Sequence, residues 1–288
     1  GFVNHLLVGL GLPNQGFLTS PDLALPSISL DDVYATRKRR DSWWTVYFVD
    51  PVACRVALTV ANRTSVTPNA LTVFSLVLGL VSAACFAVDE LAAGAVVFYL
   101  SFMIDCVDGK IARLKGTGTP FGLWLDYVGD RVRVVFCATG LAVGQYMLTH
   151  NVEFIVLGAA VAVLDLFRYV NAPQMKRVRE AIREGMPPKP TVSEEVVVRP
   201  ARHPSFMRRL NKYLARRRVR SHLISGIEFH AAVFVVAPLI GAAALIPVSA
   251  AASVLLLVNE IFLVYRMWLF ARRFAVVSSQ ESREHVLV

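Results

Sequence analysis

Apolar positions in this chain come in long unbroken runs, not in the alternation of a half-buried strand or the three-to-four spacing of a soluble helix. Residues 70–88 and 92–113 are each long enough to cross a hydrocarbon core; a third run opens at Pro120, and further runs occupy 154–169, 227–245 and 248–270. Two of these runs carry a helix-start signal, Thr67 before Pro68 and Thr119 before Pro120, with the Thr as N-cap and the Pro at the first helical position. A shorter apolar stretch at 52–60, with Arg55 and Arg63 on its polar side, reads as a helix lying along the membrane interface. The pattern predicts an all-α polytopic membrane protein of six transmembrane helices with an N-terminal interfacial amphipathic helix.

The runs divide the chain. Residues 1–43 form an N-terminal extension that starts with a short apolar run lacking a basic flank and is broken at Pro13, Pro21 and Pro26, which suits neither a signal peptide nor a span. Residues 44–66 are juxtamembrane, 67–272 hold the six helices, and 273–288 are a tail. Within the helical domain, 171–222 is a long basic loop containing MKRVREAIRE, a Pro-rich acidic middle and RRLNKYLARRRVR.

Composition agrees with this reading and charge orients it. The chain is 55% hydrophobic and 18% charged, with a mean hydropathy of +0.53, too apolar for an ordinary soluble domain. Its net charge of +9 is distributed unevenly. The linkers at Asp89–Glu90, His150–Glu153 and Ile246–Pro247 contain no Lys or Arg, whereas the Arg37–Arg40 run, the 171–222 loop and Arg272–Arg273 lie on the other side. The positive-inside rule puts both termini and that face in the cytoplasm, as in a prokaryotic plasma (inner) membrane. The basic run sits beside Trp43, Trp44, Tyr47 and Phe48, a composition suited to anionic headgroups, so no nucleic-acid partner is expected. Cys54, Cys85, Cys106 and Cys137 have no CxxC spacing and read as packing residues.

Candidate chemistry lies where the second and third runs meet. Asp105 and Asp108 are an i,i+3 pair and Asp126 and Asp130 an i,i+4 pair, so each pair shares a helix face. Carboxylates entering apolar sequence are costly unless they serve function or bind cations. An all-oxygen set favours Mg²⁺ or Mn²⁺ and leaves coordination positions for phosphate oxygens.

The stretch Asp105, Asp108, Gly109, Ala112, Arg113, Gly122, Asp126, Asp130 resembles the DxxDGxxARx8GxxxDxxxD signature of the CDP-alcohol phosphotransferases at every fixed position. The resemblance implies a six-helix membrane homodimer that moves a substituted phosphate from a CDP-linked donor to an alcohol acceptor and releases CMP, as in phospholipid biosynthesis. It implies two divalent cations, Mg²⁺ or Mn²⁺, held by Asp105, Asp108, Asp126 and Asp130. Asp130 is also implied as the catalytic base, and Gly109, Ala112, Arg113 and Gly122 as nucleotide and phosphate contacts. Pro68, Asn69 and Thr119 are supporting positions, with a helix cap as their plain alternative. Arg131, Arg133, Arg168, Glu228 and His230 could reach the acceptor or serve as interfacial anchors. The leading expectation is a CDP-lipid donor such as CDP-diacylglycerol. A soluble CDP-alcohol donor with a lipid acceptor is the nearest alternative, and a non-catalytic scaffold or transporter the alternative of another class.

Overall fold

The computed structural model describes residues 27–185 and 206–286. The expectations for residues 1–26, including the breaks at Pro13, Pro21 and Pro26, and for the Pro-rich acidic stretch at 187–195 lie outside the described residues. Among the described residues every regular element is helical. In chain order these are α1 (Leu30–Ala35), a π-helical turn (Thr45–Val49) leading into α2 (Asp50–Arg63), α3 (Pro68–Ala87), α4 (Leu91–Lys115), α5 (Pro120–Thr149) and α6 (Val152–Glu184). Then come α7 (Phe206–Arg216), α8 (Gly226–Ala231), a second π turn (Ala232–Val236), α9 (Ala237–Ile240) and α10 (Ala242–Val286).

Among the described residues four helices are long and apolar enough to cross a membrane: α3, α4, α5 and the Ala242–Val276 part of α10. The expected count of six included two further runs with different outcomes. α6 carries Glu153, Asp165 and Arg168 through its apolar half, and Gly226–Ile240 is apolar but short. The last two expected runs also divide elsewhere. The break falls at Gly241, whose φ of 136° is a conformation that glycine tolerates and other residues avoid, and Pro247 is carried inside α10 near its start. Nor is 171–222 one loop. α6 runs through Pro173 to Glu184, in a stretch of good helix formers that includes the Lys176–Glu180 pair, and α7 covers Phe206–Arg216.

Small residues set the approach of α5 to α3. A Cβ added at Gly140 or Gly144 would run into the backbone of Ala83 or Phe86, so these two glycines let the helices touch along their backbones. The main core, built on Phe86, Phe98, Val134, Phe229, Phe234 and Leu256, joins these helices to α8–α10. A second core of Val33, Val49, Ala53, Ala57, Val107 and Ile111 fixes α1 and α2 against the C-terminal half of α4. Residues 27–63 are therefore packed against the part of α4 that bears Asp105 and Asp108. The outer faces of α3 (Phe74, Val77, Val81) and α10 (Val254, Val258, Ile261) are exposed aliphatic and aromatic stripes, a surface suited to lipid and not to water.

Candidate active site

Two helix ends build the site. α4 brings Asp105 and Asp108 in its last turns, and a four-residue connection leads from its end to the start of α5. Thr119 caps α5, its Oγ1 accepting the Gly122 backbone N–H at 3.0 Å, with Pro120 at the first helical position. Asp126 follows within two turns, so the short connection folds the second acid pair back beside the first. α3 approaches from the third side. Thr67 caps it by accepting from the Ala70 N–H at 3.2 Å, and Thr72 Oγ1 donates to Asp108 Oδ2 at 2.6 Å.

One carboxylate oxygen from each of Asp105, Asp108 and Asp126 falls within 4.8 Å of the other two. That spacing, with carboxylate donors only, fits a hard divalent cation. Asp126 Oδ1 is buried without a hydrogen-bond partner, an orphaned acceptor that a cation would satisfy. Asp130 stands outside this trio. Its Oδ1 is 2.5 Å from Arg133 Nη2, and the same nitrogen lies 3.9 Å from Asp105 Oδ2. Arg133 is buried in the bundle, with Nη1 donating to Ser75 Oγ at 3.2 Å and Ser101 Oγ at 3.1 Å. Arg133 is thus a fixed internal counter-charge to the acids.

The acids open onto a cleft of about 440 Å³. Gly109, Ala112, Arg113 and Gly122 line it, as do Pro68, Asn69 and Thr119. The two glycines differ. A Cβ on Gly122 would come within 2.6 Å of Asn69 Oδ1 and 3.1 Å of Thr119 Oγ1, so this glycine allows α5 to meet the start of α3. A Cβ on Gly109 would touch only the guanidinium of Arg113, at 3.4 Å, so helix packing does not require glycine there.

A second wall holds Arg131, which also lines the cleft. It lies 3.2 Å over the ring of Tyr169 and pairs with Asp165 at 3.1 Å. His230 faces the same cleft, its Nε2 2.5 Å from Asp165 Oδ1. Two other candidates are elsewhere. Arg168 does not line the cleft; it pairs with Glu260 and ties α6 to α10, as an Arg in an apolar helix needs a buried partner. Glu228 caps α8 through Ser225 and accepts from the Trp43 N–H at 3.1 Å, a latch between distant segments.

Sequence reasoning missed a third wall. Lys38, Asp41, Asp50, Lys110 and Arg220 all line the cleft. Lys110, inside the signature, is buried and pairs with the buried Asp50 at 2.8 Å. Residues 38–41 are strapped to the segment after α7: Asp41 N–H donates to Arg218 O and Arg220 N–H to Asp41 O, both at 2.8 Å, and Arg218 Nη2 donates to Lys38 O at 2.9 Å. The available signal was a lone Lys within an apolar helix, which demands a partner. Nothing local names Asp50, sixty residues away. The run at 37–40, expected at the headgroups, thus sends Lys38 into the cleft.

With this arrangement in view, likeness to known proteins has a definite meaning. Residues 65–194 match the family model for CDP-alcohol phosphatidyltransferase. The bifunctional IPC transferase and DIPP synthase of Aquifex aeolicus is 43% identical over 65 residues, 23% of this chain and 15% of that protein. The phosphatidylinositol phosphate synthase of Mycobacterium tuberculosis is 36% identical over 78 residues, 26% of this chain and 36% of that protein. The chain therefore matches well under half the length of these curated relatives. The crystal structure of the Mycobacterium tuberculosis phosphatidylinositol phosphate synthase with CDP-DAG bound superposes with a TM-score of 0.53 at 18% identity, over 76% of this chain and 94% of that one, a likeness of fold.

Proposed function

We propose that this protein is a metal-dependent transferase that moves a phosphatidyl group from CDP-diacylglycerol, or a similar CDP-lipid, to a small alcohol bearing an anionic group. The carrying observation is the trio of acids within 4.8 Å of one another at the head of a cleft that also holds cationic side chains. The names of the relatives, and the donor bound in the neighbour of like fold, support the same reaction class.

In this reading Asp105, Asp108 and Asp126 hold divalent cation, Mg²⁺ or Mn²⁺, with Asp130 beside them where a second ion is bound. Bound metal supplies charge neutralisation of the donor's pyrophosphate, which otherwise repels a nucleophile. The chain's own residues do the rest. Gly109 leaves space for the nucleotide and Arg113 faces its phosphates. The acceptor's hydroxyl oxygen forms a bond to the lipid-side phosphorus, the bond from that phosphorus to the CMP oxygen breaks, and the hydroxyl proton goes to Asp130. Arg133 donates to Oδ1 of Asp130 and holds the carboxylate in place, and in this reading Oδ2 takes the proton. Lys38, Arg113 and Arg220 line the cleft with no carboxylate within ion-pair distance among the described residues, a reason to expect an anionic acceptor.

The same reading adds α6 and Gly226–Ile240 to the four apolar helices as the fifth and sixth crossings, with the acids on the cytoplasmic side where Lys and Arg concentrate. The test is release of CMP from CDP-diacylglycerol by purified protein, with phosphorylated and unphosphorylated alcohols and with Mg²⁺ or Mn²⁺. Turnover that requires both cation and a phosphorylated acceptor is expected. CMP release only from a soluble CDP-alcohol would reverse the roles of lipid and alcohol, and no release from any donor would remove the enzyme reading.

A further inference from the structure

α7 is a helix without a core. None of its residues is buried, and Phe206, Met207, Leu210 and Tyr213 are exposed on one side. Their spacing gives a single apolar stripe. Arg208, Arg209, Lys212 and Arg216 occupy the remainder, and residues 206–220 contain no acid. An isolated helix of 11 residues is marginal in water, so an apolar stripe of this kind calls for a surface to lie on.

The position of α7 identifies that surface. Arg40 Nη1 donates to Asn211 Oδ1 at 3.1 Å, and the residues just after α7 make the strap to Lys38, Asp41 and Asp50. That strap borders the cleft at the end of α4 and the beginning of α5, where two membrane-length helices stop. α7 is therefore tethered at the end of the bundle where those helices stop. We propose that α7 is an interfacial anchor that lies in the headgroup layer of an anionic bilayer, its apolar stripe among the acyl chains and its cations on lipid phosphates. By this anchoring, the membrane surface also steadies the strap that carries Lys38 and Arg220 into the cleft. The inference does not depend on the reaction the site performs.

The test is amide hydrogen exchange of the full chain in nanodiscs of phosphatidylcholine alone or phosphatidylcholine with phosphatidylglycerol. Amides of α7 are expected to exchange about tenfold more slowly, or slower still, in the anionic discs, with the amides of α3–α5 unchanged. The combined variant Arg208→Glu, Arg209→Glu, Lys212→Glu should lose this protection, and so should Leu210→Ser, which removes part of the apolar stripe and leaves the charge. Equal exchange in the two kinds of disc would overturn the proposal. So would slowing by soluble glycerophosphate in phosphatidylcholine discs, since that would make free phosphate, and not the surface, the ligand.

Discussion

Arg133 Nη2 lies 2.5 Å from Asp130 Oδ1, one turn away on the same helix, and its Nη1 donates to Ser75 and Ser101 on two other helices. The pair separates Asp130 from the other three acids in role. A carboxylate held by a buried guanidinium is fixed in direction, whereas the Asp105, Asp108 and Asp126 oxygens face one another and need a cation between them.

Removing Arg133 should therefore make folding depend on metal. Breaking a buried pair costs about 3–5 kcal/mol because the remaining charge is stranded. In Arg133→Met the four acids keep no internal counter-charge of that kind. Its thermal midpoint in detergent is expected to fall well below wild type in chelator and to recover more than wild type on adding Mg²⁺. Equal Mg²⁺ shifts in the two proteins would count against the electrostatic role.

Divalent cation should stabilise the unaltered protein through the acid trio. An ion at about a hundred times its dissociation constant adds about 2.7 kcal/mol to a fold that binds it only when native. Asp105→Asn and Asp126→Asn should fold and should lose most of this increment. Thermal scans in Mn²⁺, Mg²⁺ and chelator measure it. A midpoint indifferent to cation in wild type would refute metal binding at these residues.

The buried Lys110–Asp50 pair links α4 to α2 and so to the third wall of the cleft. Lys110→Met alone should cost about 3–5 kcal/mol, and the double variant Lys110→Met, Asp50→Leu less than the sum of the singles. A double-mutant cycle by thermal or denaturant unfolding reads the coupling. Additive effects would mean that the two side chains are merely neighbours.

What could be read from sequence followed spacing. The four Asp are legible because three- and four-residue steps fix side-chain direction on a helix, and the Thr-Pro starts of α3 and α5 are legible because caps are local chemistry. Partners across the fold were not. Arg168 was visible as an Arg in an apolar run, yet whether it faced the cleft or Glu260 depended on the rotation of α10. Asp165 binds both Arg131 and His230 and was not singled out, because a lone Asp in α6 carries no spacing signal. A loop was expected from residue 171, yet Pro173 lies inside α6, where the surrounding helix outweighs one lost hydrogen bond.

Asp130 and Asp108 should fail in different ways. Asp130→Asn is expected to lower turnover by about 10² to 10⁴ while donor binding at fixed Mg²⁺ stays near wild type, since proton removal matters only on the way to the transition state. Asp108→Asn should weaken both cation and donor binding, because in the proposed reaction the donor's phosphates would complete the coordination. Calorimetry with a CDP-lipid beside steady-state CMP release separates the two. Equal loss of donor binding in both variants would make Asp130 a fourth ligand and no more.

Gly109 and Gly122 give a last contrast between room for a ligand and room for a helix. A methyl on Gly122 would have its nearest contact at 2.6 Å, on the side-chain oxygen of Asn69, where α3 and α5 meet. Gly122→Ala should thus turn the Asn69 amide aside and crowd the Thr119 cap at 3.1 Å, lowering the thermal midpoint at a cost of about 1 kcal/mol, the usual value of a cap. Gly109→Ala has no such collision, because its only contact is the movable tip of Arg113 at 3.4 Å, and alanine is the better helix former by about 1 kcal/mol. That variant should be as stable as wild type or slightly more so, and its added methyl would stand in the cleft where the nucleotide is proposed to lie. Donor binding is expected to weaken by about tenfold or more with the fold intact, a loss of about 1.4 kcal/mol. The decisive measurement pairs thermal unfolding with donor titration for both variants. A Gly109→Ala protein that is stable and binds the CDP-lipid as wild type does would show that the nucleotide does not approach this face of α4.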